Sequence, residues 1–155
     1  MGRRISTELH YDATPEQVRA MMLDAGFREQ VGTEQHVARQ EVVVDGDTVT
    51  VEQVQVARGI PSFAAKFVGD EITIRQTEEW ADHSARVHLT IPGKPGEMSG
   101  TTTLRASGSG TAVLVDWEVR VQLPLVGGKV EGLIVDLMLK ALSVEQETGR
   151  AWLAD

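Results

Sequence analysis

The 155-residue chain contains no cysteine, which excludes disulfides, thiolate nucleophiles and zinc sites built on Cys. It also lacks an excess of positive charge. Its 23 acidic residues outnumber the 15 Lys and Arg and give a formal net charge of -8, the wrong sign for a broad nucleic-acid surface or a polybasic membrane anchor. No stretch is long and apolar enough to cross a bilayer. The opening MGRRISTELHYDA alternates polar with apolar residues, so it lacks the continuous apolar core of a signal peptide. These absences suit a protein of a reducing cytoplasm. There is no repeat, low-complexity tract or Pro- or Ser-rich linker. The length fits one domain, 1-155, large enough to bury a core or to keep a cavity inside it.

What is present reads as strand, two helices, many strands and one long helix. Ile5, Thr7, Leu9 and Tyr11 alternate with Ser6, Glu8, His10 and Asp12, the pattern of a strand with one buried face. Thr14 followed by Pro15, Glu16 and Gln17 predicts a helix start, with Val18, Met21 and Met22 on its apolar side. Gly26 is expected to stop that helix, and a weaker one to run from Phe27 towards Gln35. Asp45-Gly46 predicts a tight hairpin turn between Val42-Val44 and Val49-Val51. Val54 and Val56 fall in the opposite phase from Val49 and Val51, which a β-bulge near Glu52-Gln53 would reconcile. Strands are predicted over 71-80, 85-91, 98-106 and 112-123. In the last of these Val113, Val115, Trp117, Val119 and Val121 share one face.

A helix from Lys129 to Leu153 would span roughly 37 Å at about 1.5 Å per residue and cover the apolar face of such a sheet. Lys129, Asp136, Lys140, Ser143, Glu147 and Arg150 form one narrow polar stripe along it. Most of the remaining circumference, Leu133, Leu137 and Met138 included, is apolar and calls for burial on more than one side.

This layout resembles the START-like, or helix-grip, superfamily, which includes lipid-transfer domains, polyketide cyclases and plant pathogenesis-related proteins (the SRPBCC group). More narrowly, PSFAAKFVGDEITIRQTEEW (61-80), IPGKPGEMSGTTTL (91-104) and VQLPLVGGKVEG (121-132) resemble a bacterial family of unknown function within it. The resemblance covers nearly the whole chain. It implies an α+β fold, a curved antiparallel sheet wrapped around the C-terminal helix, and a cavity between them for a small hydrophobic molecule. It implies no particular reaction.

Several motifs carry candidate chemistry. Gly127-Gly128-Lys129 at a helix start invites a phosphate reading, but a P-loop needs an earlier glycine and a Ser or Thr after the lysine, where this chain has Val130. The glycines are better read as a hinge that lets the helix end approach the sheet. In PSFAAKFVG, Ser62 as cap and Gly69 as terminator bracket two helical turns with Phe63 and Phe67 on one face. That segment is either a plug on the core or a lid over the pocket mouth. On the strand ITIRQTEEW, Ile72, Ile74, Gln76, Glu78 and Trp80 share a face. If that face meets the helix, Glu78 is a desolvated carboxylate and a candidate acid/base; if the strand runs past the helix, Glu78 lies in water. A buried carboxylate needs a partner, and the sequence assigns none of Arg58, Arg75, Arg105 and Arg120 to it.

The candidate ligand-lining set is Phe63, Phe67, Ile74, Gln76, Glu78, Trp80, Leu89, Ile91, Met98, Trp117, Leu133, Leu137 and Met138. His10, His36, His83 and His88 make no metal spacing, Asp45-Gly46-Asp47 departs from a calcium loop after three residues, and no serine sits in G-x-S-x-G. No metal or cofactor is expected. Three functional classes follow: a binding module for a lipid, isoprenoid or polyketide-like molecule; a cyclase, dehydratase or isomerase-type enzyme moving a proton with Glu78; and a homodimer that buries the excess apolar helix surface.

Overall fold

The computed structural model describes residues 2-57 and 59-154. Seven strands, β1 (Arg3–Tyr11), β2 (Arg39–Asp45), β3 (Thr48–Val56), β4 (Glu71–Ala81), β5 (Ser84–Thr90), β6 (Gly96–Ser107) and β7 (Gly110–Val121), form one antiparallel sheet in the order β1-β7-β6-β5-β4-β3-β2. Helices α1 (Pro15–Met22) and α2 (Ala25–Glu34) carry the chain from one edge of the sheet to the other. Helix α3 (Ser62–Val68) joins β3 to β4, and α4 (Gly127–Ala154) packs along the concave face. This is the helix-grip architecture.

Local chemistry explains the boundaries. Thr14 caps α1 with a reciprocal bond to Gln17, as its spacing predicts. The α1–α2 break is set differently from the expectation: Asp24 accepts from the Gly26 and Phe27 N–H groups, so Gly26 sits inside the first turn of α2 instead of terminating α1. A capping carboxylate there outweighs the glycine signal. At α3, the helix begins at Ser62 with Pro61 before it and no side-chain cap, so Ser62 does not play the predicted role; Gly69 does end the helix, at φ 73°.

The β-bulge does not form. Pairing of β3 is continuous from Thr48 to Val54 with β2 and from Thr48 to Val56 with β4. The phase of Val54 and Val56 reflects a real change of face: Val49 and Val51 point inward, and so do Gln53 and Gln55, while Val56 is 47% exposed. A polar inner surface on β3 removes the need for the inserted residue.

The core lies between the sheet and α1, α2 and α4. All five inward residues of β7 named above are buried, together with Ile5, Leu9, Val87, Leu89, Met98 and Leu104. On α4, every residue of the polar stripe is exposed. At its start, a Cβ on Gly127 would lie 2.7 Å from the Val121 carbonyl oxygen, so this glycine permits the close approach of helix to strand, whereas Gly128 faces open space. The residue that turns the chain into α4 is the fully exposed Leu125, at φ 69°.

Candidate functional site

Two adjoining chambers lie between α4 and the sheet. The inner one, about 80 Å³, is walled by α2, β3, β4, β7 and α4; the outer one, about 320 Å³, is walled by α3, β4 and α4. Gln35, Gln55, Ile74, Leu89, Met138 and Ala141 border both. The outer chamber falls at the small end of the sizes that hold drug-like molecules.

The inner chamber is polar because of one strand face. Along β4 the inward side chains run Ile72, Ile74, Gln76, Glu78, Trp80, and this face does meet the helix. Glu78 is 5% exposed and accepts four hydrogen bonds: from both terminal nitrogens of Arg28 (2.5 and 3.0 Å), from Gln76 Nε2 (2.6 Å) and from Trp80 Nε1 (3.0 Å). A carboxylate so committed is an anchor, with its charge balanced by a guanidinium. The partner comes from α2. Arg28 is itself buried, and its Nε donates to the Met22 carbonyl at 2.8 Å, which fixes the fork. Burial alone would lower the Arg28 pKa, but Glu78 and then Glu145 outweigh it and raise it above the ordinary value. Arg75, Arg105 and Arg120 pair with Glu52, Glu8 and Glu118 at the exposed surface, and Arg58 lies outside the described residues.

The group that behaves as the expected pocket acid is Glu145 on α4. Its carboxyl borders the inner chamber and has no hydrogen-bond partner among the described residues. Burial pushes its pKa up to about 7; Arg28 opposes the shift and the Glu78 charge adds to it. Nearby, Tyr11 is 2% exposed, its hydroxyl has no partner among the described residues, and burial followed by the Glu145 charge raises its pKa. Its ring lies against Gly149, one turn beyond Glu145, where a Cβ would come within 2.5 Å of it.

Of the lining residues expected from sequence, Ile74, Gln76, Glu78, Trp80, Leu89, Trp117 and Met138 border the inner chamber. Phe67, Ile91, Leu133 and Leu137 border the outer one, Leu137 from its half-exposed rim. Two do not border either. Met98 is buried in the core at 1% exposure, and Phe63 faces a separate open groove beside Leu123 and Gly127, whereas Ala64 and Phe67 are the α3 residues on the outer chamber. The sequence reading omits Arg28 and Glu145. Both had a signal: Arg28 stands between Phe27 and Val31 on the buried side of α2, and Glu145 follows Met138 and Ala141 at seven and four residues on one face of α4. Among the described residues no cluster of His, Asp and Glu could hold a metal ion, and no helix is long and apolar enough to cross a membrane.

A family model described as "Protein of unknown function (DUF2505)" matches residues 6–153. An uncharacterized protein of Mycobacterium tuberculosis is 23% identical over 172 aligned positions, covering 100% of this chain and 99% of the relative. Among solved structures, the di-domain ARO/CYC StfQ from the steffimycin biosynthetic pathway superposes with a TM-score of 0.72 at 10% identity, covering 97% of this chain and 50% of that one. Norcoclaurine synthase from Thalictrum flavum, in complex with dopamine and hydroxybenzaldehyde, gives 0.64 at 16% identity, covering 95% and 86%. A START superfamily protein from Mycobacterium smegmatis gives 0.63 at 16% identity, covering 97% and 98%. These likenesses show the START-like fold.

Proposed function

The chain belongs to the DUF2505 family of proteins of unknown function, and within that family's START-like fold we propose that it binds a small, largely apolar molecule between the sheet and α4. The observation that carries this reading is the outer chamber: about 320 Å³ bounded mainly by Phe67, Ile72, Ile91, Leu133 and Ile134, adjoining a smaller polar chamber. Burying apolar ligand surface there contributes about 25 cal/mol per Å² before the costs of association are subtracted. A structural neighbour that holds dopamine and hydroxybenzaldehyde supports small aromatic molecules as occupants of such a fold. Lipid, isoprenoid and polyketide-like ligands stay within the same proposal.

The test is a plug. Ala141 stands where the chambers meet, so Ala141→Phe should lower the affinity for an apolar fluorescent probe at least tenfold while leaving the circular dichroism spectrum intact. Unchanged affinity would place the probe elsewhere and remove the reading. The second proposal is an enzyme of the proton-transfer class, favoured by the place of Glu145 on the inner chamber with no hydrogen-bond partner among the described residues, where burial pushes its pKa up to about 7. In that case the acid/base is Glu145, with Glu78 holding Arg28. Self-association is the third proposal, through Leu139 and Leu125, which are 41% and 102% exposed; light scattering across protein concentration tests it.

A further inference from the structure

The inner chamber contains a polar group that the protein itself leaves unused. Glu78 has its oxygens filled by Arg28, Gln76 and Trp80, and Trp117 Nε1 is spent on Thr102 Oγ1 at 3.2 Å. Glu145 stands against the same space with no such partner among the described residues. Glu145 is half-buried, and a carboxyl partly withdrawn from water without a protein hydrogen bond gives a ligand that supplies one an advantage the empty protein forgoes.

Resting on the reading of the cavity as an apolar-ligand site, we propose that the inner chamber is a subsite for one hydroxyl group, alcoholic or phenolic, at the end of an otherwise apolar molecule, and that Glu145 is the side chain that hydrogen-bonds it. The charges around the chamber select this chemistry. Arg28 and Glu78 cancel each other at 2.5 Å. A carboxylate ligand would face Glu145, the one group the pair does not balance, and an ammonium is suited only while Glu145 is ionised. A hydroxyl introduces no net charge and can donate to Glu145 or accept from it, whichever protonation state the carboxyl holds. The volumes agree: about 80 Å³ admits a head of a few atoms, and the apolar body continues past Ile74 and Met138 into the larger chamber.

The experiment compares three probes that share one apolar body: naphthalene, 2-naphthol and 2-naphthylmethylamine, each titrated by calorimetry or probe displacement at pH 7 into the full chain and into Glu145→Leu and Glu145→Gln. An apolar cavity alone favours naphthalene, the more hydrophobic compound. The subsite reverses that order: 2-naphthol should bind about tenfold tighter than naphthalene to the unaltered chain, lose that advantage in Glu145→Leu, and keep most of it in Glu145→Gln. The 13C carboxyl resonance of Glu145 should move with 2-naphthol and stay put with naphthalene. Equal binding of the two, an equal loss of both in Glu145→Leu, or tightest binding of the amine would overturn the hydroxyl subsite while leaving the cavity reading standing. Failure of all three probes to bind would overturn the cavity reading and the subsite with it.

Discussion

The two chambers share walls and differ in chemistry. Both are lined by β4 and α4, yet the outer one presents Ile72, Leu133, Ile134 and Leu137 while the inner one presents Gln76, Glu78, Trp80 and Glu145. The change of polarity occurs along each element in the same direction: from isoleucine to glutamate within one strand face, and from leucine to glutamate within two turns of one helix. A sheet position alternates faces every second residue and a helix position recurs every three to four, so the gradient is written into the spacing and needs no loop to build it. The lesson is that a cavity of this fold has an orientation, with one end suited to apolar surface and the other to a hydrogen-bonding group.

The contrast is broken most severely at the inner end. Arg28→Ala leaves Glu78 buried with its charge uncompensated, and a loss of roughly 3-5 kcal/mol in unfolding free energy is expected from chemical denaturation. Replacing both partners at once, Arg28→Met with Glu78→Leu, should recover most of that loss, because the pair is removed together with its desolvation cost. Recovery of nothing would mean that Arg28 acts through its bond to the Met22 carbonyl instead.

Glu145 sharpens the comparison through pH. Its folded pKa of about 7 lies above the value of 4.5 expected of an exposed glutamate, so the folded chain binds the proton more tightly than the unfolded one. That contribution to stability is fully present below the unfolded value and is lost as pH rises through the folded one. Glu145→Gln should therefore leave stability nearly unchanged at pH 4 and raise it at pH 8, by up to about 3 kcal/mol on the scale of 1.36 kcal/mol per pKa unit. Equal effects at both pH values would show that the carboxyl is already satisfied.

Much of the fold was legible before the structure. The alternation in β1 and β7, the Thr14 cap, the Asp45-Gly46 turn and the one-sided polarity of α4 are local signals with a single consequence. The cavity's apolar side was legible for the same reason, since Leu133, Leu137 and Met138 follow from helix spacing. The polar side was harder to read. Glu78 was visible as a candidate, but its partner lies 50 residues away on a short helix whose approach depends on the Asp24 cap, and nothing in local spacing selects Arg28 over Arg75 or Arg120. Glu145 was hidden by its neighbours: Gln146 and Glu147 blend it into an acidic stretch, and only the register of α4 against Tyr11 turns it inward. Gln53 and Gln55 were misread through the β-bulge, because polar residues facing a cavity look in sequence like a slip of phase.

The smallest expected effect lies at the helix entry, outside both chambers. Gly127→Ala should cost about 1-2 kcal/mol, since its Cβ would press on the Val121 carbonyl, and Gly128→Ala should be neutral or stabilising by a few tenths, through the reduced freedom of the unfolded chain. Thermal melts of the two variants side by side would separate a packing constraint from a general hinge.

Methyl NMR of the full chain during titration with 2-naphthol tests the two-chamber account at its junction. Met138, Ile74 and Leu89 border both chambers, whereas Val43 and Leu125 are exposed on the outside of the molecule. Saturable shifts at the first three with none at the last two are the predicted result. Shifts confined to exposed methyls, or no saturable shift at all, would contradict the account.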